Sequence, residues 1–414
     1  MQLTTLELQQ EKRFRTWAMI SFLYFIAVAY MGLLLRFIFI YPIPGVNFKY
    51  FLHAHSHAAI LGWLFNALYV AILSEFVPPD KKSAVKYHIL FLLLQVTVVG
   101  MIITFPINGY YRDSIIFSTF HIVLSFVFAA FIYKDGRSVS ENGLAFLSIK
   151  ISLFFLIISS LGPFALGGLM ANELSESHWY NLSIYYYLHF QYNGWFVFAL
   201  LGLFIKLLDN LQIEYPLKKM RLVIILSASA CIPAYALSAL WIPPPPIVFI
   251  IGWMAVIVQM LAVGLFVYVL LKIFCKLKAV LPTVAVGLII IGLSFFILKN
   301  VIQFFSASEE VARLGYEVRN YVIAYLHMVF LGFCSLFLLG WFHYKKWLVI
   351  SSLVQKAGLV FFITSFIISQ FFIVLYPTLI KYNSIIIPNY TQWIFILSAG
   401  MPLGLLLLFP LNRK

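Results

Sequence analysis

Apolar runs of twenty or more residues, separated by short clusters of charge, proline and asparagine, follow one another from end to end of this 414-residue chain. Runs of that length match the thickness of a bilayer core, which a helix crosses in about 20 residues. The pattern predicts about twelve helices, with cores near 16–41, 52–77, 86–105, 114–133, 147–170, 182–208, 221–242, 247–273, 281–299, 320–344, 348–376 and 391–410. The clearest interruptions are Pro243–Pro246, the basic stretch Lys218-Lys219-Met220-Arg221 and the acidic loop around Glu309 and Glu310. The runs are continuously apolar rather than alternating, which excludes a transmembrane barrel. The expected fold is an all-α polytopic membrane protein, a single membrane domain over 1–414 with a polar tail over 1–15.

Composition agrees with this picture. Hydrophobic residues make up 63% of the chain and charged residues 10%, against about 25% charged in soluble domains. That excludes a soluble enzyme and a single-pass receptor. The net charge of +14 could suggest a nucleic-acid partner, but its placement says otherwise. If alternate loops face opposite sides, 21 of the 28 Lys and Arg residues fall on one side. The other side keeps Arg36, Lys49, Arg112, Lys299, Arg313, Arg319 and Lys381. Positive charge collects on the cytoplasmic side of membrane proteins, so both termini are expected there, most simply in a bacterial inner membrane. The partner implied is the lipid bilayer, with no nucleic acid. The polar start, Gln2 to Arg15, does not resemble a cleaved signal peptide. Cys231, Cys275 and Cys334 form no CxxC and no CxxCH, so neither a disulfide framework nor covalent haem attachment is expected.

The chemistry lies in the histidines. His88, His178 and His343 fall at helix ends. The other six gather in helices 2, 4, 6 and 10: His53, His55 and His57, then His121, His189 and His327. With the N-terminus inside, these helices all run inward from the outer face. At about 1.5 Å per residue they bring an imidazole to a similar depth, roughly 9–12 Å past the start of each span. A histidine in lipid needs a partner. A hydrogen bond to a neighbouring helix is the structural alternative; a layer of metal or haem ligands is the functional one. On a helix His53 and His57 share a face and His55 points elsewhere.

The segment His55-Ser-His57-Ala-Ala-Ile-Leu-Gly62-Trp63 resembles helix 2 of divergent members of the haem–copper oxidase subunit I superfamily, which includes cytochrome c oxidases and nitric-oxide reductases. Tyr325-Leu-His327-Met-Val-Phe-Leu-Gly332 resembles its helix 10. The resemblance implies a twelve-helix bundle and a low-spin haem, expected to be b-type, held by His57 and His327 near the outer face. It places His189 where the family has a copper ligand. Departures are equally clear. Tyr325 stands where the family has a high-spin haem histidine, and helix 7 has no histidine pair. The resemblance thus implies a retained low-spin site and a dismantled or rebuilt oxygen-reducing centre. A rebuilt one could use His121, His189 and His55 or His53, with Tyr325 as an oxygen ligand of iron and copper as a possible second metal. Arg319, with Arg112 and Arg313, is a candidate partner for haem propionates. The opening His-Ala-His also resembles the NnrS family of nitric-oxide stress proteins.

The function so implied is electron transfer or reduction of nitric oxide or oxygen, an oxidoreductase activity that needs an electron-donor protein or companion subunits. The competing account is a transporter or non-catalytic membrane protein with structural histidines. The sequence carries no inverted-repeat signature and no buried acid for ion coupling, and Gly162-Pro163 is its one broken-helix candidate.

Overall fold

A computed structural model describes residues 5–140 and 143–409. Arg413 and Lys414, part of the charge count above, lie outside them. Every regular element among the described residues is helical. Among the described residues, eleven helices are long and apolar enough to cross a membrane, or twelve if one bent pair counts as a single span. They are α1 (Thr5–Ile38), α2 (Phe48–Phe76), α3 (Val85–Asn108), α4 (Arg112–Ser140), α5 (Leu144–Ala171), α6 (His178–Asn210), α7 (Leu217–Cys231 and Pro233–Ala239), α8 (Pro246–Val280), α9 (Thr283–Phe305), α10 (Arg319–Tyr344), α11 (Leu353–Asn383) and α12 (Tyr390–Leu408).

Three boundaries differ from the hydropathy reading. The first helix begins at Thr5, so most of the polar tail is the opening of α1. Gln10 there donates to Pro79 O and Ser83 Oγ, both at 2.8 Å, which gives polar residues a helical role. The sharp bend falls at Pro233, where α7 turns by 44°, and not at Gly162-Pro163, which α5 carries without a comparable break. Proline lacks the N–H of the helical ladder and clashes with the preceding turn. Finally, α9 runs on to Phe305, so Lys299 is not an outer-loop residue; it lies inside a helix and is 1% exposed.

Contacts divide the chain into two compact units, one of residues 1–128 and 338–414, the other of residues 129–337. In the first, Trp17 stacks on Phe91 at 4.4 Å and Trp63 on Phe25 at 4.6 Å. Trp63 is therefore ordinary helix packing. In the second, α5 packs on α6, where Phe155 stacks against Phe190 and Phe198. Along α8, Ile250, Met254, Ile257 and Leu261 are exposed at helical spacing. An apolar exposed stripe of this kind faces acyl chains in a membrane protein.

Candidate functional site

The helices α2, α6 and α10 share a local distortion. Each changes to wider π-helical turns at the residue after a histidine: Ala58–Phe65 after His57, Phe190–Trp195 after His189 and Met328–Ser335 after His327. Such turns are rare and cluster at functional sites. The sequence carries their signature: His57, His189 and His327 are each followed, five residues on, by a glycine and an aromatic residue, Gly62-Trp63, Gly194-Trp195 and Gly332-Phe333. Each glycine is pressed against a neighbour of its own unit. A Cβ at Gly62 would lie 3.1 Å from Val98, one at Gly194 2.4 Å from Phe155, and one at Gly332 2.8 Å from Phe295. Polar side chains take up carbonyls at the wide turns. Buried Asn66 donates to Leu61 O and Gly62 O at 3.2 and 2.9 Å, and Ser335 Oγ donates to Phe330 O at 2.7 Å.

In the first unit, His53 and His57 lie on one face of α2, against Phe105 and Tyr110. Ring centroids are 4.6 Å apart for His53–Tyr110 and 4.4 Å for His57–Phe105. Tyr110 is aimed there by the turn after α3. Gly109 adopts φ +63, where a Cβ would strike Tyr50 at 2.4 Å, and buried Ser114 Oγ donates to Gly109 O at 2.6 Å. His57 Nδ1 lies 2.9 Å from His53 O. A carbonyl only accepts, so Nδ1 carries the proton and Nε2 keeps its lone pair, with the Tyr110 hydroxyl 3.5 Å away. This is the tautomer and backbone lock typical of a histidine that binds metal through Nε2.

His55 points the other way, toward α1. Its Nδ1–H donates to Val28 O at 3.1 Å and its ring covers Gly32. His121, fully buried on α4, is 2.9 Å from Thr97 Oγ1, which itself donates to Leu94 O. Its Nδ1 must therefore be the donor, and its Nε2 is buried without a hydrogen-bond partner. His121 is edge-on to Phe65 and within electrostatic reach of His57.

In the second unit, His189 differs in kind. Its Nε2 is 2.8 Å from the carbonyl of Cys231, the last residue before the α7 bend, and its Nδ1 is 3.0 Å from Asn193 Nδ2. The carbonyl requires Nε2–H, so Nδ1 accepts from the Asn193 amide. Both nitrogens are committed to protein groups, and the bent helix gains a cap for an orphan carbonyl. The copper-ligand role implied for His189 does not fit this geometry. His327 ends the regular first part of α10 and is half-buried. Tyr325 meets Tyr192 edge-on at 5.7 Å and donates to Gln303 Oε1 at 3.4 Å.

The outer arginines are less suitable than expected. Arg112 pairs with Asp113 at 3.2 Å and Arg313 with Glu317 at 3.9 Å, all on exposed surface. Arg319 is exposed and within electrostatic reach of Tyr185. The sequence reading missed Arg36, half-buried near the end of α1 and within electrostatic reach of His55 and Tyr390. It also missed Lys299. Among the described residues, no three His, Cys, Asp or Glu side chains gather as a metal-binding group. Compared with known protein-family models and with curated proteins, the chain matches none.

Proposed function

We propose that this chain is a haem-binding integral membrane protein, related in architecture to the haem–copper oxidase subunit I superfamily, in which His57 and His327 would hold a low-spin, non-covalently bound haem. One observation carries the reading: His57 Nδ1–H is locked onto His53 O while Nε2 keeps its lone pair, beside Tyr110, on a wide turn of α2. That state is the one an iron ligand requires, and the lock fixes the ring and raises its basicity. His327 is carried by the same type of turn in α10.

The haem would supply a reversible one-electron couple. The chain's own groups do the rest. His57 and His327 bind, and Phe105 and Tyr110 shield the His57 ring from water. His121 offers a second uncommitted Nε2 in the same unit as His57, so it is the residue open to a further metal, copper included. Arg319 and Arg36, the latter half-buried near the end of α1, are the candidate partners for a haem carboxylate. On this reading the protein lies in a bacterial inner membrane with both termini cytoplasmic. It transfers electrons, or reduces nitric oxide or oxygen, with a donor protein or companion subunit. Purified protein should be coloured, with a Soret band and sharp reduced α and β bands. Metal analysis and a pyridine-haemochrome assay test this directly, and a colourless protein without iron would end the proposal.

A further inference from the structure

Lys299 is a charged-type residue buried inside a membrane-spanning helix. It is 1% exposed on α9, and its Nζ donates to Gln303 Oε1 at 3.1 Å and to Asn300 Oδ1 at 3.4 Å. Both acceptors are neutral amides, themselves 5% and 6% exposed. No carboxylate pairs with Lys299 among the described residues. From α6, Tyr192 presents its ring 6.0 Å from Nζ; from α10, the Tyr325 hydroxyl shares Gln303 Oε1. The thiols of Cys231 and Cys334 and the ring of His189 lie within electrostatic reach. The hydrogen bonds of His189 to Cys231 O and Asn193 hold its ring neutral. The cluster therefore contains one buried amine, which a proton would make a cation, and no anion.

An ammonium has three donors, and the two amides engage two of them. Leaving a buried charge uncompensated costs several kcal/mol, which a bound counter-charge relieves. Tyr192 and Tyr325 keep some accessible surface although they lie within spans. We propose that Lys299 is the centre of a binding site for a small monovalent anion of halide or nitrite size. The anion accepts from Nζ, and the Tyr325 hydroxyl turns from its long bond with Gln303 to become a second donor. This site stands apart from the haem reading, because neither His57 nor His327 belongs to it.

The test uses full-length protein in lipid nanodiscs and chloride as the probe, followed by chlorine NMR line broadening. Wild type should broaden the line saturably. Lys299→Met and Tyr325→Phe should each weaken binding by at least about tenfold, in keeping with hydrogen bonds to a charged group. Lys299→Gln, which retains a polar side chain without the charge, should behave like the Met variant, so a failure of Lys299→Met to fold leaves the site testable. Wild-type protein should bind chloride equally whether or not it carries haem by pyridine haemochrome, which separates this site from a haem. Absence of saturable broadening in wild type, equal binding in wild type and both Lys299 variants, or binding only in haem-loaded protein would overturn the proposal.

Discussion

The helices α2 and α6 use one backbone design to hold histidines of opposite character. In both, a histidine precedes a wide turn, and a glycine five residues later lets a neighbouring side chain approach. In α2 the ring donates through Nδ1 to its own helix, and Nε2 keeps its lone pair. In α6 the ring bridges Cys231 O and Asn193 and has no nitrogen left. The turn thus places an imidazole, and the residues one helix away decide whether it can bind anything. The bend at Pro233 is the cause in α6, because it ends a helix at a carbonyl that needs a donor.

The two helices also end differently, and this gives the largest expected effect. Near the end of α2, buried Glu75 pairs with Lys345 at 3.0 Å; just beyond α6, the exposed Tyr215 hydroxyl donates to Asp209 at 3.0 Å. Lys345→Met leaves a carboxylate buried and should cost about 3 kcal/mol, whereas Tyr215→Phe should cost about 0.5 kcal/mol. Detergent-denaturation curves of the two variants would show the gap, and equal losses would contradict the assigned burial. The Lys345 pair has a pH signature. Burial works against its charge, but Glu75 outweighs this and holds its pKa above the ordinary lysine value. A group raised in this way contributes its full stabilisation below the unfolded value of roughly 10.4. The contribution is lost as pH rises through the higher folded value, so wild type should lose stability in that alkaline window and Lys345→Met should not.

A smaller effect separates the glycines. Gly194→Ala places a Cβ 2.4 Å from Phe155, and Gly62→Ala places one 3.1 Å from Val98 and 3.2 Å from Tyr24. Overpacking costs about 1–3 kcal/mol, with Gly194→Ala expected near the upper end and Gly62→Ala near the lower. Thermal melts that reversed this order would show that the wide turns are not held by these contacts. Thr97→Val removes the hydroxyl that fixes His121. It should cost about 1 kcal/mol and leave the rest of the unit unchanged by hydrogen exchange.

Hydropathy was enough for the helices because spans of this length are written as apolar runs between charges. It could not show the π-helical turns, since one wider turn alters hydrogen bonding without altering the apolar run. Lys299 was placed at a boundary because a charge in an apolar run ordinarily marks one; its amide partners Asn300 and Gln303, one and four residues on, were the available sign that it is buried. The helical face shared by His53 and His57, and the opposite direction of His55, followed from spacing alone. The commitment of His189 did not, because its partner is a backbone carbonyl 42 residues away in the chain. The repeated histidine–glycine–aromatic spacing was legible throughout and marks all three wide turns.

The contrast between His57 and His189 is tested most directly by the haem content of purified wild-type, His57→Ala and His189→Ala proteins, measured as pyridine haemochrome per chain. The account predicts haem in wild type, its loss in His57→Ala and its retention in His189→Ala. Haem retained in His57→Ala, or none in the wild-type protein, would contradict it.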